Sequence, residues 1–415
     1  MFQPVRGTHD LIFDDARSFL QLINIARSVA DTYNYDEIIT PIFEFEGVFK
    51  RLGDSTDVVS KEMYSFEDRG GETITLRPEG TASVMRAVLS NGLTQSLPLK
   101  LFYAGPMFRY DRPQKGRQRQ FHQVGVELIG SNEPWADVET ITFSTDFLKA
   151  LGLLSKCTLK INTLGDFESR EGYKAKLLDF LKPYENDLSE DSKKRLTVNP
   201  LRILDSKDAK DREIIKSAPL YASCLNTESL THYEKVKKGL SDLGVFFEED
   251  PLLVRGLDYY CHTAFVFETQ FLGAQSEILG GGRYDGLSRA LGGPDLPGIG
   301  WAGGIERLLL LTDLQTEQNR SVAVISVGES TDVYAQKLTH DLRLKGLSVD
   351  ISYAGNVGKR MKRANKIKSR FAILIGEDEL REQSLTVKDL DSGDNHRVSP
   401  DALVDFFNQH NTHLA

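Results

Sequence analysis

Alternation along "RQFHQVGVELIG" places Phe121, Gln123, Gly125, Glu127 and Ile129 on one face of a strand. An amide and a carboxylate then flank a position without a side chain, which leaves room between them for a small polar ligand. A glycine bulge carrying two solvated polar residues is the plainer use of the same pattern. In "TLRPEGTA" a second carboxylate and a hydroxyl, Glu79 and Thr81, stand either side of Gly80 at the end of a strand. That pair suits a substrate ammonium group. Thr81 is also placed to cap the helix that follows, and both uses are compatible.

Three arginines stand next to glycine-rich or turn sequence: Arg109 before a charged loop, Arg255 in "VRGLDYY" and Arg307 after "GWAGGIE". Bare backbone lets a phosphate chain or a planar base approach, and guanidinium groups neutralise charge that spreads over a phosphoryl group. In "VRGLDYY" a turn accounts for Gly256 and Asp258, and a core strand accounts for Tyr259 and Tyr260, but neither needs Arg255. "GGGRYDG" lacks the G-x-x-x-x-G-K-[ST] spacing and is not the dinucleotide fingerprint, so a nucleotide bound here sits on an antiparallel sheet.

The elements that position these residues alternate in texture. A helical repeat after Asp14 feeds a β-prone stretch, "YDEIITPIFE". "ETITLRPEGTASVMRAV" reads as strand, extended turn and helix, and "LKLFYAGPMFRY" and "RQFHQVGVELIG" as two strands of an antiparallel hairpin joined by "DRPQKGRQ". Residues 1–165 form a first sheet-rich segment. Residues 166–250 are charged, helix-prone and poor in glycine, an inserted helical module; sheet-like sequence resumes over 251–312. A polar linker, 313–320, precedes a separate α/β domain, 321–415, whose basic helix covers about 357–369.

With 51 Lys and Arg against 60 Asp and Glu, the chain carries a net charge of -9, which argues against a protein that coats nucleic acid. Two local exceptions stand out. From Arg109 to Arg119 five basic residues face one acid, and from Lys359 to Arg370 seven basic residues occur with no acid. Either is by itself an ordinary solvated face. Cys157, Cys224 and Cys261 are far apart and form no C-x-x-C pair, so neither a disulfide framework nor a structural metal is expected and a reducing cytoplasm fits. No apolar run reaches signal-peptide or bilayer length, so no membrane role is expected.

Taken together, "RGTHD", "TLRPEGTA", "GPMFRYDRPQKGRQRQFHQ", "LVRGLDYY", "GGGRYDGL" and "GIGWAGGIERLLLL" resemble the histidyl-tRNA synthetases of the class II aminoacyl-tRNA synthetases, over essentially the whole chain. The resemblance implies an α+β fold: an antiparallel-sheet catalytic domain with a helical insertion, followed by a C-terminal α/β anticodon-binding domain. It also implies a homodimer, with ATP, Mg²⁺, histidine and its tRNA as cofactor and partners. By motif, Arg109 and Arg255 hold the α-phosphate and carboxylate region and are the catalytic residues, while Arg307 holds the far end of the triphosphate. Glu79, Gly80, Thr81 and Gln123 receive the α-amino group; Glu127 and Tyr260 address the imidazole, with Tyr259 lining the pocket. Arg112, Lys115, Arg117 and Arg119 of the charged loop, and Lys359, Lys362, Arg363 and Lys366 of the basic helix, are then tRNA contacts. A regulatory paralogue of a phosphoribosyltransferase and a synthetase-like tRNA sensor resemble the chain less, since such proteins lose the arginines, the last domain or intact motifs.

Overall fold

The computed structural model describes residues 2–51, 58–273, 276–314 and 320–410. Two compact units emerge, residues 1–316 and 317–415. Most of the expected linker, 315–319, lies outside the described residues.

The first unit opens with α1 (Asp14–Thr32), whose acidic first turn suits the positive end of its dipole and whose Leu22, Ala26 and Ala30 are buried at helical spacing. β1 (Asp36–Glu37), β2 (Phe43–Phe45) and the single turn α2 (Gly47–Lys50) follow. β3 (Tyr64–Glu67) and β4 (Thr73–Leu76) join β2 in a small three-stranded sheet, order β2-β4-β3, and lead into α3 (Thr81–Ser90). β5 (Leu99–Phe108) and β6 (Gln120–Ile129) are the expected antiparallel hairpin, in register from Leu99 against Ile129 to Phe108 against Gln120. α4 (Pro134–Ala150) starts with proline in its first turn, and β7 (Thr158–Thr163) returns to the sheet.

Four helices then interrupt the sheet: α5 (Phe167–Leu181), α6 (Glu190–Val198), α7 (Ala209–Ile215) and α8 (Thr227–Asp242). Each begins at a side chain that accepts from its own first turn, Asp166, Ser189, Asp208 and Asn226 respectively. These caps satisfy backbone donors that the helices leave open, which is why so polar a stretch folds into discrete helices. The sheet resumes with β8 (Glu248–Glu249), β9 (Cys261–Glu268) and β10 (Glu277–Arg283), then the turn α9 (Leu287–Ala290), β11 (Gly298–Gly304) and α10 (Ile305–Leu309).

The strands assemble in the order β1-β5-β6-β11-β10-β9-β7-β8. All pairings are antiparallel except those of the two-residue edge strands, β1 with β5 and β8 with β7. One face is covered by α1, α4 and α8: Val124, Val126, Phe143, Phe147 and Trp301 share one core, with Trp301 stacked on Phe147 at 5.6 Å. The other face carries Tyr103, Met107 and Tyr284 beneath α3 and holds the site described below.

The second unit comprises β12 (Val322–Ser326), α11 (Asp332–Leu344), β13 (Val349–Ile351), α12 (Val357–Lys366), β14 (Phe371–Ile375), α13 (Glu377–Glu382), β15 (Leu385–Asp389), β16 (Asn395–Val398) and α14 (Leu403–His410). Its sheet runs β13-β12-β14-β15-β16, parallel over the first three strands and antiparallel thereafter. Alternation on β12 sends Val322 and Val324 to a core with α11 and α14, and Ala323 and Ile325 to a second core with Ala364 of α12. Among the described residues no helix is long and apolar enough to cross a membrane.

Candidate functional site

A cleft of about 410 Å³ opens on the α3 side of the large sheet, lined by Glu79, Thr81, Gln123, Tyr259 and Tyr260 together with Arg109, Arg255 and Arg307. Residues from four separated stretches therefore converge there. Asp111, Asp205, Glu268, Glu277, Glu306 and Arg117 line it too, so carboxylates and guanidinium groups share one cavity, which suits a ligand carrying charges of both signs.

Tyr103 shapes the floor. It pairs with Gly125 across the hairpin, and a Cβ at Gly125 would stand 2.4 Å from the ring Cζ and hydroxyl; one at Gly80 would stand 2.3 Å from Cε2. The expected ligand space at Gly125 is thus taken by the cross-strand tyrosine, because the bare backbone at Gly80 and Gly125 is what lets the ring lie flat. The ligand space lies above it, between Gln123 and the Tyr259–Tyr260 pair.

Glu127 is wholly buried at the base of the site, 0% exposed. Tyr284 donates to its Oε2 at 2.5 Å, and a Cβ at the facing Gly300 would collide with that oxygen at 1.9 Å. The hydroxyls of Thr81 and Tyr103 also lie beside the carboxyl, and the buried Oε1 of Gln123 has no hydrogen bond. Burial pushes the Glu127 carboxyl up to about 8, against the Tyr284 hydroxyl, which favours the charged form. A buried acceptor without a donor on Gln123, four residues from a buried carboxyl on the same strand face, suits a ligand that brings N–H donors.

Glu79 accepts from the backbone N–H of Thr81 at 2.8 Å and of Ala82 at 2.9 Å. It is therefore Glu79, not Thr81, that caps α3; Thr81 is already the first helical residue, with its own N–H pointing back at the carboxylate. Burial raises the Glu79 carboxyl, while those two N–H groups and the charge of Arg109 oppose it. Tyr259 Oη lies 3.5 Å from Glu79, and the Tyr259 and Tyr260 rings are 4.7 Å apart.

All three arginines are held before any ligand arrives. Arg109 donates through Nε to the Pro78 carbonyl at 2.8 Å and lies 5.2 Å over the Phe121 ring. Arg307 donates to the carbonyls of Gly116 at 3.1 Å and Glu277 at 2.7 Å. Arg255 pairs with Glu277 at 2.9 Å and sits 5.5 Å over Tyr260. Sequence reasoning missed Tyr103, Tyr284 and Glu277. Tyr284 lies inside the "GGGRYDG" stretch, where the glycines drew attention away from it.

The basic residues divide. In the hairpin loop Arg112 and Lys115 are exposed, whereas Arg117 pairs with Asp111 at 2.5 Å and faces the cleft. Arg119 stacks 3.9 Å over Tyr110 and donates to the Asp111 carbonyl at 3.2 Å. The loop's own folding thus occupies two of its four expected tRNA contacts. On α12, Lys359, Lys362, Arg363 and Lys366 are all exposed, Arg363 in a pair with Asp350 at 2.9 Å.

Comparison with known proteins agrees with this geometry. The histidyl-tRNA synthetase family model matches residues 7–308, and the anticodon binding domain model matches residues 321–410. Histidine–tRNA ligase of Rhodospirillum rubrum is 53% identical over 406 residues, covering 97% of this chain and 98% of the relative. That of Gluconacetobacter diazotrophicus is 53% identical over 405 residues, covering 97% and 98%. The crystal structure of apo S. aureus histidyl-tRNA synthetase superposes with a TM-score of 0.83 at 37% identity, over 98% of this chain and 100% of that one. The chain belongs to the histidyl-tRNA synthetase family.

Proposed function

We propose that the cleft on the large sheet is where histidine and ATP react, with a division of labour among its residues. The overall reaction is that of a histidine–tRNA ligase: histidine and ATP give histidyl-adenylate and pyrophosphate, and the histidyl group then passes to the 3′ end of its tRNA. Glu79, Thr81 and Gln123 receive the α-amino group, with bare Gly80 admitting the Tyr103 floor. Glu127 Oε1 and Tyr260 read the imidazole, and Tyr259 walls the pocket. Arg109 and Arg255 meet the carboxylate and α-phosphate, and Arg307 the far end of the triphosphate.

The observation that carries this reading is the buried carboxyl of Glu127 and the buried, donorless Oε1 of Gln123 on one strand face, Gln123 lining a cleft that three anchored arginines also line. An imidazole and an ammonium bring N–H donors to such acceptors. An apolar side chain of similar size would leave them unpaired, which is worth roughly 10⁴-fold or more in discrimination, so no separate editing site is needed.

Mg²⁺ fits this cleft in the manner usual for nucleotide enzymes, through substrate phosphates and one or two carboxylates. Glu268, a lining carboxylate paired with Lys160 at 2.9 Å, is the one that would hold it, and no cluster of three metal-ligating side chains occurs among the described residues. When bound, Mg²⁺ would neutralise phosphate charge; holding and orienting the substrates falls to the side chains named above.

Residues 1–165 and 251–312 serve as the catalytic domain, 166–250 as its insertion, 313–320 as linker and 321–415 as the anticodon-binding domain. Arg112 and Lys115 of the loop, and Lys359, Lys362, Arg363 and Lys366 of α12, are the proposed tRNA contacts, while Arg117 and Arg119 shape the loop. A homodimer is supported by the apolar outer surface near the small sheet, where Ile39 is 86%, Phe43 53%, Phe45 58% and Phe66 48% exposed. Three free thiols suit the reducing cytoplasm.

ATP–pyrophosphate exchange against a full panel of amino acids tests the assignment. Exchange with histidine alone is expected; comparable exchange with threonine, proline or glycine would overturn it.

A further inference from the structure

Glu277 opens β10, where strict alternation would send its side chain to the helix-covered face with Leu279. A register shift between Glu277 and Leu279 in the pairing with β9 turns it into the cleft instead. There its Oε1 accepts from Arg255 Nη1 at 2.9 Å, and its main-chain carbonyl accepts from Arg307 Nη1 at 2.7 Å. The Glu277 side chain is 45% exposed to the open cleft; against the partial desolvation that favours the neutral acid, Arg255, Arg307 and Arg109 hold it below the usual carboxylate range. It is an anion at neutral pH.

An anion among phosphate-binding arginines repels an incoming triphosphate, so its presence needs a return. The return is visible at Arg255. That side chain spends Nη1 on Glu277, while its Nε is buried with no hydrogen bond. Beneath the pair lies Gly280, where a Cβ would stand 2.6 Å from both Arg255 Nη1 and Glu277 Oε1. The bare backbone admits the salt bridge at that one place.

We propose that Glu277 is a positioning residue for histidine activation: it holds the Arg255 guanidinium by Nη1 so that the Nε side faces the charge that develops as the histidine carboxylate attacks the α-phosphate. This rests on the reading of Arg255 given above. Arginine has several rotatable bonds, and a guanidinium freed from its carboxylate samples orientations that miss the reacting atoms. A misplacement of about 1 Å at a reacting centre costs on the order of 10²-fold.

The test is rapid-quench measurement of histidyl-adenylate formation in the full chain, for the wild type, Glu277→Ala, Glu277→Gln, Arg255→Ala and the Glu277→Ala/Arg255→Ala double variant. Glu277→Ala is expected to slow adenylate formation by about 10- to 100-fold, with KM for histidine and for ATP changed by less than about threefold. Glu277→Gln keeps an oxygen acceptor and recovers most of the rate. On the Arg255→Ala background, Glu277→Ala should cost less than about twofold, because nothing remains to be positioned. Equal cost on both backgrounds, a defect confined to KM, or no recovery in Glu277→Gln would overturn the proposal. A normal rate in Arg255→Ala would overturn the reading of the cleft itself, and this inference with it.

Discussion

The arginines of the cleft and the basic residues of α12 carry the same charge and are built in opposite ways. Arg109, Arg255 and Arg307 each have a carbonyl or carboxylate holding them in place. On α12 only Ala364 is buried, and Lys359, Lys362 and Lys366 reach into solvent. A guanidinium fixed in a low-dielectric cleft acts on charge that develops at one point, and loses little to reorganisation. An exposed ammonium acts on a polyanion through counterion release, with little demand on geometry and a strong dependence on salt. The same charge is thus fixed in place in one unit and left mobile in solvent in the other.

Removing the second unit separates the two roles most completely. A chain ending near Thr312 is expected to keep adenylate formation and lose most tRNA charging; undiminished charging would mean that the first unit alone holds the tRNA.

Within the cleft, Arg255→Ala should slow adenylate formation by ~10²–10³, about 3–4 kcal/mol, with little change in histidine affinity. Arg255→Lys should restore only part, since an ammonium keeps charge without the planar fork. A normal chemical step, with loss confined to folding or dimerisation, would make Arg255 structural and dissolve the contrast.

Glu127→Gln sharpens the same comparison from the acidic side. Histidine affinity should fall by roughly 10- to 100-fold, as for the loss of a buried hydrogen-bond partner, while ATP affinity stays near normal in calorimetry. Stability of the ligand-free protein should move the other way. Glu127 has an ordinary value of 4.5 when unfolded and about 8 when folded, so the folded state holds the proton more tightly. Its favourable share is present at low pH and is lost as pH rises through that window. From about pH 5 to about pH 8 the wild type should therefore lose stability relative to Glu127→Gln, by a few kcal/mol at most. Parallel urea midpoints for the two proteins across that range would remove the carboxylate from the account.

The smallest effect is expected on α12. Each of Lys359→Ala, Lys362→Ala and Lys366→Ala should reduce the log–log salt slope of tRNA binding by about 1. An unchanged slope would leave the helix a solvated face.

What could be read from the chain follows how local the deciding interaction is. The β5–β6 hairpin shows in its alternation, and the helices of 166–250 in their propensity. Glu79 and Gln123 were visible because each occupies a strand face or end whose direction alternation fixes. Tyr103 was not, since its role depends on which residue of the partner strand faces it, and register is not written in either strand alone. Glu277 was hidden by a bulge that reverses its face. The partners of the loop arginines were hidden for another reason: charge counts cannot tell that Asp111 pairs with Arg117 or that Arg119 lies over Tyr110. β3 and β16 carried no distinct signal, and the edge strands β1 and β8 are only two residues long.

The order of the large sheet also bears on how the chain is made. β6 ends at Ile129, and its neighbour β11 begins at Gly298, so about 170 residues must be synthesised between them. At roughly 5–20 residues per second the ribosome takes on the order of 10–30 s to supply that partner. Throughout that interval a ten-residue strand whose Val124, Val126 and Leu128 belong to the core has one unpaired edge. The helices of 166–250 are made in the same interval, but their cluster is completed by Tyr260 and Ala264, and α8 packs into the core of the large sheet. For roughly two-fifths of its synthesis a nascent chain of this protein is therefore an open half-sheet with helices that await their packing partners, and in that window an unpaired edge is exposed to chaperones.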